Sequence, residues 1–172
     1  MKQLIQPFDY AKEFSQTLGR GILLNTQDEK FNSMVIGWGH LGIIWGIPTY
    51  TVYVRQSRYT KALLDKTGVF TISAPLGAPD REINRILGTL SGRDVDKAAL
   101  AGLRLTEPVE NGVPGIAQYP LTLECRVLYR QDQVLAQIPD AIRSRYYNPQ
   151  GPDAENFHTA YIGQITAAYL EA

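Results

Sequence analysis

The sequence predicts a mainly β chain with inserted helices, arranged as one antiparallel barrel. Two observations carry that expectation. Short apolar runs at strand spacing, punctuated by glycine, proline and polar turns, recur from Gly21 to Leu170, and only short helical segments interrupt them. No repeat, low-complexity tract or linker divides the 172 residues, so residues 1–172 read as a single domain able to bury a real core.

Taken in order, Phe8 to Leu18 has Phe8, Ala11, Phe14 and Leu18 near helical spacing, and Gly19 and Gly21 end it. Gly21 to Thr26 is a short apolar strand. After the polar turn Gln27 to Lys30, Asn32 to Leu41 returns as a second strand, with Met34, Ile36 and Trp38 alternating with Val35, Gly37 and Gly39. Glycines inside a strand mark a bulge or the close approach of another backbone or a ligand. Pro48 breaks the chain before a third strand, Tyr50 to Arg55. Ser57 then has the chemistry of an N-cap for a helix from Arg58 to Lys66, closed by Gly68, with Tyr59, Ala62 and Leu63 as its buried stripe.

Val69 to Ala74 is another short strand. Asp80 to Leu90 is the clearest helix, since Ile83, Ile86, Leu87 and Leu90 fall on one face. Gly92 terminates it, and Asp94 is placed to cap a short helix reaching Ala101. In the last third, Leu121, Leu123, Cys125, Val127 and Tyr129 alternate with Thr122, Glu124 and Arg126 along a long strand, and Tyr161 to Leu170 closes the set. Between them Pro139 to His158 contains Arg143, Arg145, Tyr146, Tyr147 and the turn-rich Asn148-Pro149-Gln150-Gly151-Pro152. A segment this long with little apolar periodicity points to a functional or interface element rather than a linker.

Lysine plus arginine equals aspartate plus glutamate at 17 each, so the chain has no basic field for nucleic acid. Any anion it holds must be held by a local cluster. Cys125 is the single cysteine, which excludes an internal disulfide and a cysteine-built zinc cage. Met1 to Tyr10 lack the apolar core of a signal peptide, and no window approaches the roughly 18 consecutive apolar residues of a membrane helix. The expectation is a cytoplasmic protein without a membrane span or a metal.

The most informative stretch is Val54-Arg55-Gln56-Ser57-Arg58-Tyr59-Thr60, which joins a strand end to a helix start. Unpaired backbone N–H groups and the positive end of the helix dipole favour an anion there. A phosphate could also meet the Ser57 and Thr60 hydroxyls and the guanidinium groups of Arg55 and Arg58. The plainer reading makes Ser57 a cap and leaves the arginines solvated. Ser91-Gly92-Arg93-Asp94-Val95-Asp96-Lys97 surrounds a second helix start, and could either close over the same phosphate or be a helix–helix turn. Trp38, beside strand glycines, could wall a flat heterocycle. Core packing is the expectation for Trp45, a structural or exposed position for His40, and a buried unreactive thiol for Cys125. His158, near Tyr161, could line a site.

Together these pieces resemble the flavoredoxin-like branch of the flavin reductase family, the FMN-binding split barrels. The matching words are Asn32-Ser33-Met34-Val35-Ile36-Gly37-Trp38-Gly39, Trp45-Gly46-Ile47-Pro48, Val52-Tyr53-Val54 running on to Thr60, Ser91 to Lys97, and His158-Thr159-Ala160-Tyr161-Ile162-Gly163-Gln164-Ile165. The resemblance makes the phosphate reading of Ser57 to Thr60 the favoured one. It implies a six-stranded Greek-key split β-barrel, a homodimer, with FMN in a groove near the subunit interface.

By that likeness Asn32, Ser33, Met34, Val35 and Trp38 lie along the isoalloxazine ring. Arg55, Ser57, Arg58, Tyr59 and Thr60 hold the phosphate, Arg93 and Lys97 reach the phosphate or the polar ring edge, and His158 and Tyr161 stand near the open flavin face. The Pro139 to Phe157 segment departs from the likeness. The implied activity passes electrons from NAD(P)H or a redox protein through FMN and needs no catalytic acid or base. Two alternatives stay open: an FMN electron carrier inert to nicotinamides, and a ligand-binding barrel without redox work.

Overall fold

The computed structural model describes residues 2–147 and 156–171. Strand β1 (Lys2–Leu4) leads through a 3-10 turn into helix α1 (Ala11–Leu18), which buries Phe14. Strands β2 (Ile22–Gln27) and β3 (Phe31–Ile36) form one hairpin, and β4 (Gly39–Ile44) and β5 (Ile47–Arg55) a second. Helix α2 (Tyr59–Thr67), strand β6 (Val69–Ala74) and helices α3 (Arg81–Thr89) and α4 (Lys97–Leu100) follow. A small ribbon, β7 (Leu105–Thr106) with β8 (Gly115–Ile116), precedes the long strands β9 (Leu121–Asp132) and β10 (His158–Glu171), which flank α5 (Asp140–Tyr146).

The strands pair antiparallel in the order β3-β2-β6-β9-β10-β5-β4, with β1 added to the far end of β10. The two edges, β3 and β4, are consecutive in the chain and joined only by Gly37 and Trp38. One core draws on the whole sheet through Ile22, Leu24, Ile36, Val52, Phe70 and Leu123, so the sheet curls around its own inner face. Burying each such side chain contributes about 1.5–3 kcal/mol. The result is a barrel split between β3 and β4. Helices α3 and α4 cover the outer face of β3, where Ile83 and Leu87 meet Leu23 and Val35.

Several local expectations change. The predicted strand Asn32 to Leu41 is two strands, because the chain turns at exposed Gly37 and Trp38. A Cβ at Gly39 would lie 2.9 Å from the Thr51 carbonyl oxygen, so that glycine admits a backbone. Pro48 lies within β5 rather than before it. It pairs with Ile43 at a point where β10 no longer flanks the strand, and no ladder partner needs its missing N–H. Trp45, expected in the core, is 64% exposed at a two-residue hairpin turn. Trp45 and Gly46 have φ of 54° and 72°, the left-handed pair that matches the twist of the strands.

The N-cap position of α2 is Arg58, not Ser57, and its buried face is Thr60, Leu63 and Leu64, with Ala62 exposed. Asp96, rather than Asp94, caps α4 by accepting the Ala99 N–H. Helix α5 forms inside the segment expected to lack periodicity, while Asn148-Pro149-Gln150-Gly151-Pro152 lies outside the described residues. The first part of the polar face of β9 is closed to solvent, although Arg126 is exposed. Thr122 and Glu124 are fully buried, and Glu124 accepts the N–H groups of Val109, Glu110 and Asn111 at 2.5, 2.8 and 2.8 Å.

Candidate functional site

A trough runs along the free edge of β3, between the β5–α2 turn and the α3–α4 loop. Its inner half, about 160 Å³, is lined by Asn32, Thr60, Leu87, Gly88, Gly92 and Lys97 among others, and its outer half, about 150 Å³, by Ile36, Trp38, Tyr53, Arg55 and His158. Met34, Val35 and Arg58 belong to both halves, so they are two ends of one space. Ser57, Tyr59 and Arg93 complete the inner wall.

The sheet places these groups. His158 pairs with Arg55 at the first rung between β10 and β5, which sets both at the outer end. Asn32 projects its amide from β3 and donates to Thr60 Oγ1 at 2.9 Å and to Thr26 Oγ1 at 3.3 Å, tying β3 to the start of α2. The Asn32 Oδ1 and Ser33 Oγ atoms are buried without a hydrogen-bond partner. Buried polar atoms usually find one. Opposite Asn32 the α3–α4 loop comes very close: a Cβ at Gly92 would sit 2.3 Å from Asn32 Oδ1 and 3.0 Å from Tyr59 Cδ1. Arg93 closes the same side, donating to the Ser57 carbonyl at 3.0 Å with its guanidinium 5.4 Å from the Tyr59 ring centroid.

Among the described residues, the charged side chains that line the inner half are the cations Arg58, Arg93 and Lys97. Among the described residues, Arg55, Arg58, Arg93 and Lys97 form no ion pair with a carboxylate, although Lys61, Lys66, Arg85, Arg130 and Arg143 all do. Lys97 is only 6% exposed, and its ammonium donates to the Leu87 carbonyl at 3.3 Å. Burial first, and the Arg58 charge second, push its pKa down to about 8. An arriving anion would meet several uncompensated cations and the start of α2 together.

The outer end is aromatic. The His158 ring lies 4.5 Å from Trp38, and Tyr146 and Tyr147 meet Trp38 and His158 edge-on. Tyr147 Oη donates to Gln133 Oε1 at 2.7 Å and lies 2.9 Å from His158 Nδ1. With the tyrosine proton committed to Gln133, the network assigns the histidine proton to Nδ1. Burial, followed by the charges of Arg55 and Arg58, lowers the His158 pKa to about 4, so the ring is neutral near pH 7. Arg55 is already employed here. It donates to the carbonyls of Tyr146 and Asn156 at 2.8 and 3.3 Å, and so braces α5 against the barrel.

The structure thus brings Asn32, Met34, Val35, Trp38, Arg55, Ser57, Arg58, Tyr59, Thr60, Arg93, Lys97 and His158 around one trough. Ser33 is buried on the strand beside it. Tyr161 is not brought there: it is fully buried in the barrel core, and its hydroxyl donates to Asp65 at 2.7 Å. The strand alternation that carries His158 to the trough turns Tyr161 the other way. Leu87 and Gly88 line the trough but were not expected there, whereas Gly92 lies in the Ser91 to Lys97 word that could close over the phosphate. Gly88 offered a sequence signal, a glycine inside an otherwise well-formed helix, and it faces Val35 of β3.

Comparison with known proteins agrees with this arrangement. Residues 16–172 match the family model described as the flavin reductase like domain. The FMN-binding domain of a flavin reductase-like enzyme from Shewanella baltica superposes with a TM-score of 0.68 at 17% identity, covering 99% of this chain and 77% of that one. A flavoredoxin from Methanosarcina acetivorans has a TM-score of 0.65 at 25% identity, covering 88% and 68%. An uncharacterized protein of Archaeoglobus fulgidus is 30% identical over 109 residues, which span 63% of this chain and 60% of that protein. No helix among the described residues is long and apolar enough to cross a membrane. With nearly its whole length matched, in a split barrel edged by β3 and β4, this chain belongs to the flavin reductase-like domain family.

Proposed function

We propose that this chain binds FMN in the trough and passes electrons from NAD(P)H, or another reduced donor, to an acceptor. The observation that carries the reading is the cluster of Arg58, Arg93 and buried Lys97 at the β5–α2 turn, none of them paired with a carboxylate among the described residues. A phosphate monoester is the complement of that corner. The trough fits the rest of the molecule as well. Met34, Val35 and Trp38 offer apolar walls for a flat ring, and the orphaned Asn32 Oδ1 and Ser33 Oγ leave hydrogen-bonding capacity for its polar edge.

FMN, when bound, supplies hydride acceptance and stepwise electron release. The chain's own residues bind, orient and exclude water. Arg58, Ser57 and Thr60 hold the phosphate, with Arg93 and Lys97 closing on it. Neutral His158, tilted against Trp38, shields the outer end without adding a charge. A proton-transferring side chain is not required. Homodimerisation belongs to the same reading, and exposed Ile43 and Trp45 on the β4–β5 hairpin give a second copy an apolar foothold. Use of NAD(P)H would place the protein in the cytoplasm.

The test is an absorbance spectrum of the purified protein, followed by anaerobic addition of NADH and NADPH. A flavin band that bleaches with one of them supports the reductase. A stable band inert to both moves the protein to an electron carrier fed by a redox protein. A protein that stays colourless after incubation with excess FMN and desalting removes the reading altogether.

A further inference from the structure

Thr26 does not line the trough, yet its hydroxyl is bonded to Asn32, which does. Along β2, Ile22 and Leu24 belong to the barrel core, and strand alternation puts Thr26 on the same inward face, where it is fully buried. A valine of the same shape would suit an apolar interior better, because a buried hydroxyl is costly unless it is bonded. The β2–β3 register gives the hydroxyl its use. Thr26 stands directly opposite Asn32, and Asn32 Nδ2 donates to Thr26 Oγ1 at 3.3 Å and to Thr60 Oγ1 at 2.9 Å. Both protons of one amide are thereby committed, one to the neighbouring strand and one to the first turn of α2.

What this arrangement controls is the proton of Thr60. A hydroxyl has one proton to give, and Thr60 Oγ1 already serves Asn32 as an acceptor. Thr60 is 2% exposed, it lines the inner half beside Arg58, Arg93 and Lys97, and its own proton goes to no acceptor among the described residues. We infer that Thr26 is a positioning residue for phosphate recognition. It pins the Asn32 amide, the amide fills the acceptor side of Thr60, and the Thr60 proton is left to the anion. The inference rests on the proposed flavin reading, because the FMN phosphate is what receives that proton. Without the Thr26 hydroxyl the amide keeps a single tether and is free to flip. Its carbonyl oxygen then faces Thr60 and takes the proton that the phosphate would have used.

The experiment titrates FMN and riboflavin, which has the same ring and ribityl chain but no phosphate, into wild-type protein, Thr26→Val, Thr26→Ser, Thr60→Val and the Thr26→Val/Thr60→Val pair. Flavin fluorescence is the readout, and circular dichroism checks folding. If wild-type protein does not bind FMN, the flavin reading falls and this inference with it; every other outcome bears on Thr26 alone. Thr26→Val is expected to weaken FMN by about fivefold and riboflavin by less than about twofold. Thr26→Ser, which keeps the hydroxyl, should restore FMN affinity to within about twofold of wild-type. Because Thr26 acts through Thr60, adding Thr26→Val to Thr60→Val should cost no further FMN affinity. Thr26→Cys, whose thiol is only a weak acceptor, replaces Thr26→Val if that variant does not fold. An unchanged FMN affinity in Thr26→Val overturns the inference. So do equal losses for the two flavins, a serine variant as weak as the valine one, or losses that add in the double variant.

Discussion

Two regions of this barrel are built to surround negative charge, and they are completed in opposite ways. Under the 105–116 ribbon, the anion is the protein's own: the Glu124 carboxylate is fully buried and takes three backbone N–H groups from Val109, Glu110 and Asn111. At the β5–α2 turn the protein supplies only cations, Arg58, Arg93 and Lys97, and no carboxylate among the described residues meets them. A self-filled anion site stabilises a loop whether or not a ligand is present. A cationic site without a counter-charge costs folding free energy and gives it back only when something anionic arrives. The contrast separates scaffold from function better than burial does, since both regions are buried in part.

The largest effect that can test this contrast is on the scaffold side. Glu124→Ala removes the acceptor of three partly buried N–H groups and should lower unfolding free energy by about 2 kcal/mol in urea denaturation. FMN affinity of the remaining folded protein should not change, because the nest lies away from the trough. On the functional side, replacing Ser57 and Arg58 together by alanine should reverse the pattern. FMN binding would weaken by about thirtyfold in a fluorescence titration, with stability unchanged or raised. If Ser57 and Arg58 turn out to matter for stability and not for affinity, the two regions are of one kind and the phosphate assignment fails.

A smaller effect is expected at the seam where the α3–α4 loop touches β3. Gly92→Ala would drive a methyl group into Asn32 Oδ1, and Asn32 is also bonded to Thr60. The loop must then retreat, at a cost of about 1 kcal/mol shared between stability and FMN affinity. Calorimetry of the variant with and without FMN reads that division. A cost that falls on stability alone would mean that the loop does not close on the ligand.

Much of this was legible in the sequence, and for identifiable reasons. Turn chemistry and periodicity placed β6 at Val69–Ala74, a short run closed off by Gly68 and Pro75, and located α3 to within a residue at each end, because that helix buries one regular face. The phosphate corner was legible because its residues sit within one short word, Arg55 to Thr60. What was not legible depends on partners distant in the chain. Nothing in the alternation of β9 shows that Glu124 is buried, since the loop that covers it contributes only backbone N–H groups. Trp45 reads as core by its bulk, yet a two-residue hairpin turn fixes it outside. Tyr161 was carried to the flavin by its nearness to His158, and the pleat of β10 turned it into the core instead. Arg55 has the residue type of a phosphate ligand, but its hydrogen bonds to Tyr146 and Asn156 could only be found by folding α5 back.

The finest test of the contrast lies in the titration of Lys97, because stability and affinity should respond to pH with opposite signs. Its pKa in the folded protein, about 8, lies below the ordinary 10.5. Between those values the unfolded chain carries a proton that the folded chain lacks, so the stability of the ligand-free protein should rise with pH across that window. A phosphate dianion beside the ammonium favours the charged form and raises its pKa again, so FMN binding takes up a proton above pH 8. Affinity should therefore fall as pH rises through about 8, by roughly threefold per unit at most given the partial share of one cation among several. Isothermal titration in buffers of different ionisation enthalpy measures the proton directly. Lys97→Met should abolish both slopes together, whereas an affinity that stays flat in wild-type protein from pH 7 to pH 9 would remove Lys97 from the phosphate corner while leaving Arg58 in place.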